Sequence, residues 1–250
     1  MEDFAKMLEK IEVTKRQRVA VYTGTRNLYE YMCPAVTSMV LNTNVDKIYL
    51  LIEDDVFPYW LPDKVETINV SNQPYFDKDG PNFNSPWTYM TLMKVALPLV
   101  FFGMYDRILS LDVDTIVDKN IDDLWDMPID DCYFGAVIEK HRSTEKKKYF
   151  NAGMLLLNCE KLIKDGMCDK LINSINKYVY SYNEQDCINY LCEGQIYSIP
   201  SDYNVTVFNE IPKEVKLIHY AAIKNWQKEP YFQKYLKEYN KLVEEGVCLE

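Results

Sequence analysis

The sequence predicts an α/β protein built as a single domain around a mostly parallel central sheet. Two observations carry that expectation. Strand-length apolar runs alternate with helix-length periodic segments through the first half of the chain, the pattern of successive βαβ units. The 250 residues, 48% hydrophobic and 26% charged, are enough for one sizeable core. No Pro/Gly/Ser-rich linker cuts them in two.

Each element follows from local pattern. Residues 18–23 (RVAVYT) and 47–52 (KIYLLI) are short apolar runs suited to buried parallel strands, with 65–70 as a third. Between the first two, Met32, Val36, Met39 and Val40 recur at helical spacing over 29–41. Residues 71–86 carry Pro, Gly, Asn and Asp without periodicity and form a long loop, a type that is often functional in a compact domain. The stretch 72–87 is therefore a candidate cover for a donor or an acceptor. A helix over 88–102 precedes an apolar strand at 106–111, which ends in Asp112-Val113-Asp114. Next come a short helix at 121–125, strands at 133–138 and 154–157, and helices at 160–178 and 184–192. Strands at 196–199 and 215–219 and a helix over 231–243 complete the order. The ends read as a helical extension over 1–17 and a helical segment over 228–250.

Composition excludes several functions. A net charge of −10 and a pI near 4.9 argue against a phosphate-tracking surface, so nucleic acid is not an expected partner. The basic run Lys146-Lys147-Lys148 reads as a solvated loop face. Seven cysteines, odd in number and without paired zinc-type spacing, read as reduced thiols. No segment has the form of a secretion signal, and no apolar run reaches the ~18 residues of a membrane span. The expectation is a cytoplasmic protein, with peripheral contact to the inner face of a membrane left open.

Asp112 and Asp114 stand two apart, so on an extended backbone both carboxylates point to one side while Val113 points to the other. They follow a hydrophobic strand, where open α/β sheets place their ligands, and hard oxygen donors suit Mn²⁺ or Mg²⁺. Taken alone, the pair reads equally well as surface or helix-capping aspartates. Asp77-Lys78-Asp79 has the same spacing, but no strand leads into it. His219 closes a second apolar strand, where a lone histidine reads more readily as a hydrogen-bonded structural residue than as a ligand, and is one of only two histidines; the other, His141, lies in a charged loop and reads as solvated. Downstream of His219, Lys224 is a cation able to offset charge on a departing diphosphate.

Four ordered segments carry a resemblance. They are 106–124 (DRILSLDVDTIV followed by IDDL), 149–158 (YFNAGMLLLN), 184–189 (EQDCIN) and 219–226 (HYAAIKNW). Together they resemble family 8 of the retaining glycosyltransferases, the family of glycogenin and the bacterial lipopolysaccharide galactosyltransferases. The resemblance runs from the first strand to about Trp226. It implies a GT-A fold, a nucleotide-sugar donor of the UDP-hexose type (UDP-glucose or UDP-galactose), and Mn²⁺, with Mg²⁺ as the alternative, held by Asp112, Asp114 and His219.

The resemblance also assigns donor contacts to Thr23, Asn27, Lys94, Val113, Asn151, Ala152 and Gly153, with Asp112 and Lys224 at the diphosphate. Leu28 or Tyr29 takes the place of the aromatic on the base. Glu184, Gln185 and Asp186 match the segment facing the sugar, with Glu in place of the family's first Asp. Ala221-Ala222 and Asn225 also depart from the family pattern, which has Gly and Pro there. The acceptor, whether saccharide, lipid-linked glycan or protein, is not legible. Two other readings stay open at this level: a nucleotidyltransferase, and a nucleotide-sugar binding module without turnover.

Overall fold

A computed structural model describes residues 17–246. All but the last residue of the expected N-terminal extension lies outside the described residues. Strands β1 (Val19–Thr23), β2 (Lys47–Ile52), β3 (Val65–Asn69), β4 (Arg107–Leu111), β6 (Phe134–Ile138), β7 (Phe150–Asn158) and β8 (Ile196–Ile199) form one seven-stranded sheet. Its order is β3-β2-β1-β4-β7-β6-β8. The β1–β4 side is parallel throughout, as the alternating first half requires, whereas β7 runs antiparallel to both of its neighbours. The sheet is thus mostly parallel, with one reversed strand in its centre.

Alternation along the buried strands divides the core. Val19 and Val21 of β1 face one cluster with Ile108, Phe134 and Leu157, while Ala20 and Tyr22 face another with Leu50, Leu109, Leu111 and Trp125. Both faces are dry, so near-continuous apolar runs such as KIYLLI are needed where a half-exposed strand would alternate. The Trp125 indole reaches the second face with its N–H satisfied by the Val19 carbonyl at 3.2 Å.

The helices are α1 (Tyr29–Asn42), α2 (Thr88–Leu92), α3 (Leu97–Val100), α4 (Cys159–Lys164), α5 (Met167–Lys177), α6 (Asn183–Leu191) and α7 (Pro230–Glu245). Two expectations need correction. The helix expected over 88–102 is broken, with a 3₁₀ turn, Met93–Ala96, between α2 and α3. Pro98 lacks the N–H that would reach back to the Lys94 carbonyl, and its ring crowds that carbonyl. The helix expected over 160–178 is two, separated at Gly166, whose φ of 61° is left-handed.

A two-stranded ribbon of β5 (Thr115–Val117) and β9 (Leu217–His219) stands apart from the main sheet. β5 was hidden in the sequence because three residues are too few to show a period. The loop expected over 71–86 is irregular and docks on the α5–α6 side. Buried Asn82 donates to the carbonyls of Ile175 at 2.6 Å and Tyr178 at 2.8 Å.

Candidate active site

The carboxyl ends of β1 and β4, the start of β7 and the start of α6 surround a cleft of about 610 Å³. Backbone pairing brings the three expected metal ligands together. The β4–β7 ladder runs past the last strand residue, since Asp112 N donates to the Gly153 carbonyl at 2.9 Å. The β5–β9 ribbon sets His219 opposite Thr115, and Tyr220 N donates to the Asp114 carbonyl at 2.9 Å. His219 Nε2 therefore lies 3.4 Å from Asp114 Oδ1 and 3.8 Å from Asp112 Oδ2.

One ligand atom from each of these residues falls within 4.8 Å of the others, a donor set that fits Mn²⁺ or Mg²⁺. Gly153 passes directly behind the His219 ring, leaving room for it that any β-carbon would fill. Burial opposes charge on both His219 and Asp114, and their mutual attraction outweighs it. His219 is held above the usual histidine range and Asp114 below that of a carboxylate.

Lys94, 1% exposed, points from the 3₁₀ turn into the cleft floor. Its ammonium finds Asp112 Oδ1 at 2.6 Å, Glu184 Oε1 at 3.0 Å and the Ala152 carbonyl at 3.0 Å, three acceptors for three protons. Burial disfavours this cation, but Asp112 and Glu184 overcome it and hold its pKa above the lysine range. Burial pushes Glu184 upward against the pull of Lys94. Such a lysine is a structural member of the site rather than an exposed helix lysine.

Gln185 is fixed at both ends of its carboxamide. Ala152 N donates to Oε1 at 2.8 Å, and Nε2 donates to the Tyr149 hydroxyl at 3.1 Å. Tyr149 in turn donates to Asp186 Oδ1 at 2.5 Å. Asp186 thus stands behind Gln185 and caps Tyr182 N at 2.9 Å; it does not line the cleft.

Thr23, Asn27, Lys94, Asp112, Val113, Asp114, Asn151, Ala152, Gly153, Glu184, Gln185 and His219 all line the cleft. Tyr29 does not. It is buried against Phe57, its hydroxyl donating to Asp54 and accepting from Glu53 N, so that Leu28 faces the cleft instead. Lys224 is exposed on the turn after β9 and lies outside the lining, to which that turn contributes Ala221 and Ala222.

Three residues were missed. His141 is exposed, as expected, yet it stacks on Phe208 at 4.5 Å and brings Nε2 to 3.4 Å from buried Glu139. Both line the cleft. Asn204 is fully buried behind His219. Glu139 and His141 stand two apart, but in a charged loop where that spacing carries no signal, and Asn204 is far from both in the chain, so only the fold brings them to the cleft. The Lys146-Lys147-Lys148 run is exposed, as expected. The six cysteines among the described residues are free thiols.

Comparison with known proteins places this geometry. The family model for glycosyl transferase family 8 matches residues 25–229. A putative glycosyltransferase of Haemophilus influenzae is 30% identical over 148 residues, covering 53% of this chain and 45% of that protein. Glycosyltransferase GlyB of Streptococcus pneumoniae is 24% identical over 83% of this chain and 57% of its own. The chain thus spans about half the length of these relatives. The lipopolysaccharide 1,2-glucosyltransferase of Escherichia coli is 24% identical, with 78% of this chain and 68% of that protein covered.

Among solved structures, the galactosyltransferase LgtC in complex with donor and acceptor sugar analogues superposes with a TM-score of 0.63 at 17% identity, covering 88% of this chain and 95% of that one. GlyE of Streptococcus pneumoniae gives 0.66 at 20%, covering 93% and 64%. These likenesses establish the GT-A fold. With a family match across most of its length, the chain belongs to glycosyl transferase family 8.

Proposed function

We propose that this protein transfers glucose or galactose from a UDP-sugar to an acceptor hydroxyl, with retention of anomeric configuration and with Mn²⁺ as the bound metal. The observation that carries the reading is the convergence of Asp112, Asp114 and His219 on one wall of a cleft whose other walls are Lys94, Gln185 and the Asn151–Gly153 stretch at the start of β7. When bound, the metal supplies Lewis-acid stabilisation to the departing diphosphate. Mg²⁺ fits the same ligands, and the imidazole favours Mn²⁺.

Thr23, Asn27 and Leu28 receive the nucleoside, and Asn151, Ala152 and Gly153 lie along the donor sugar. Lys94 keeps Asp112 and Glu184 in place; Lys224, on the turn bordering the cleft, is the cation assigned to the diphosphate. Gln185 Oε1 already accepts from Ala152 N, which leaves it a weak candidate for a covalent nucleophile. Front-face attack is therefore favoured, a donor phosphate oxygen taking the acceptor proton. The acceptor is a saccharide, lipid-linked glycan or protein hydroxyl. The buried free thiols suit a reducing, cytoplasmic setting. Among the described residues no helix is long and apolar enough to cross a membrane, and an acceptor on the inner face of a membrane would require peripheral contact.

Incubation with UDP-glucose and UDP-galactose in Mn²⁺, followed by product analysis, tests the reading. Free UDP with a glycosylated product supports it. Pyrophosphate would instead indicate nucleotidyl transfer, and binding without product a non-catalytic module. Thermal shifts with UDP, GDP, CDP and ADP decide the nucleotide, because a ligand bound only by the native state raises apparent stability.

A further inference from the structure

A line of buried hydrogen bonds runs from the cleft to the back of His219. Glu139 Oε2 accepts from Asn151 Nδ2 at 2.9 Å, Asn151 Oδ1 accepts from Asn204 Nδ2 at 2.9 Å, and Asn204 Oδ1 faces His219 Nδ1 at 3.1 Å. A carboxamide can be turned end for end, so the direction of such a line must be argued from groups whose roles are invariant.

A backbone amide supplies the direction. Gly153 N–H, which can only donate, gives its proton to Asn151 Oδ1 at 2.9 Å. The oxygen of Asn151 is thereby held toward Asn204, with its NH₂ toward the Glu139 carboxylate. Asn204 must answer with its own NH₂, which leaves its oxygen facing the imidazole. His219 Nδ1 then carries the proton, and the lone pair of the neutral ring falls on Nε2. That nitrogen is the one 3.4 Å from Asp114 and 3.8 Å from Asp112.

The backbone holds Asn204 at this station. Val205 N donates to the Leu217 carbonyl and His219 N donates to the Val205 carbonyl, both at 2.9 Å, so the segment carrying Asn204 is tied to β9 on either side of Ile218, at the histidine's own amide and two residues before it. With 0% exposure, water cannot substitute for the amide.

We propose that Asn204 is a positioning residue that fixes the Nδ1–H tautomer of His219 and so presents Nε2 to a divalent cation, with Asn151 and Gly153 setting its orientation. This rests on the metal-site reading above. A partner on the far nitrogen of a ligating histidine sets ring orientation and tautomer, and its loss costs about 10–100-fold in metal affinity.

The test uses the whole chain with three readouts. Long-range ¹H–¹⁵N spectra of the metal-free protein, recorded well above the histidine pKa range, report the tautomer. Only two histidines are present, and His141→Gln assigns them. Mn²⁺ affinity comes from the electron paramagnetic resonance signal of the free ion, and stability from thermal melts without metal.

The wild type should be protonated on Nδ1. Asn204→Leu, which removes the acceptor, should bind Mn²⁺ about 10–100-fold more weakly. Asn204→Asp keeps an oxygen opposite Nδ1 and should hold Mn²⁺ near wild-type affinity even though its melt is lowered by the lost bond to Asn151. A purely structural asparagine would lower both melts and leave Mn²⁺ affinity unchanged in both variants, overturning the proposal. Protonation of wild-type His219 on Nε2 would overturn it also, and needs no variant to fold. If the wild type and His219→Ala respond identically to Mn²⁺, the metal-site reading fails, while the tautomer spectrum still decides what Asn204 does.

Discussion

A β-carbon on Gly153 would lie 2.0 Å from Cε1 and 2.5 Å from Nδ1 of the His219 imidazole, far inside van der Waals contact. The glycine has no positive φ, so its backbone would accept alanine; only the ring forbids it. Gly153→Ala should displace His219 from the two aspartates and weaken Mn²⁺-dependent nucleotide binding. The overpacking should cost about 1–3 kcal/mol in urea denaturation. Wild-type manganese affinity in this variant would show that the histidine position does not matter to the site.

Lys94 is a buried cation between Asp112 and Glu184. Lys94→Met should leave Glu184 buried without its counter-charge and destabilise the protein by about 3–5 kcal/mol, the usual cost of removing one partner from a buried pair. Adding Glu184→Gln should recover part of that loss, because the uncompensated charge is gone. Chemical denaturation of the two single variants and the double one measures the coupling.

Turnover should require a divalent ion, with Mn²⁺ more effective than Ca²⁺ and chelation reversible on re-addition of metal. His219→Ala and Asp114→Asn should each lower turnover strongly, and the double variant should be little worse than either, since both act through one ion. Full activity in excess chelator, with no metal in the purified protein, would falsify the metal-dependent reading.

Asp122 ties three segments together, accepting from Arg18 Nη1 at 3.2 Å, Asn44 N at 2.9 Å and Asn44 Nδ2 at 2.6 Å. Burial raises its pKa, but the Asn44 hydrogen bonds and Arg18 outweigh burial and hold it below the usual carboxylate value. For a carboxylate with a depressed folded-state pKa, the stabilisation is present above the unfolded value and is lost as pH falls through the folded one. Asp122→Asn should therefore be less stable than wild type at neutral pH. The gap should close as pH drops below about 4. Urea midpoints across that range report it, and a gap independent of pH would contradict the linkage.

Much of this molecule was legible before its structure. KIYLLI read as a strand buried on both faces, and the run 106–111 ending in two aspartates placed a carboxylate pair at a strand terminus, where such sheets open. The helices at 29–41 and 231–243 were legible because each carries an apolar stripe at helical spacing, and they appear as α1 and α7 within a few residues. The break before Pro98 was legible in principle, since the proline was in view, but the surrounding apolar periodicity concealed it. Family 8 likeness then supplied His219 and Lys94, which spacing alone left ambiguous with a core histidine and a surface lysine.

The sequence by itself determined most of the strands and helices, and that two carboxylates and a histidine stand at strand ends, because period and side-chain type are local properties. Only the tertiary structure decided who meets whom. Lys94 and Glu184 pair across 90 residues, Asn82 reaches Tyr178 across 96, and Asn204 backs His219 from 15 residues away. Each pair joins residues of different segments of the fold, beyond the reach of any helical or strand period, so no local pattern encodes them. They arise from strand order, from the reversed β7 that carries Gly153 to Asp112, and from the register that sets Thr115 opposite His219. The same packing turned Tyr29 and Asp186 away from the cleft and brought His141 and Glu139 into it, because the direction of a side chain is settled by the neighbours that bury it rather than by its place in a motif.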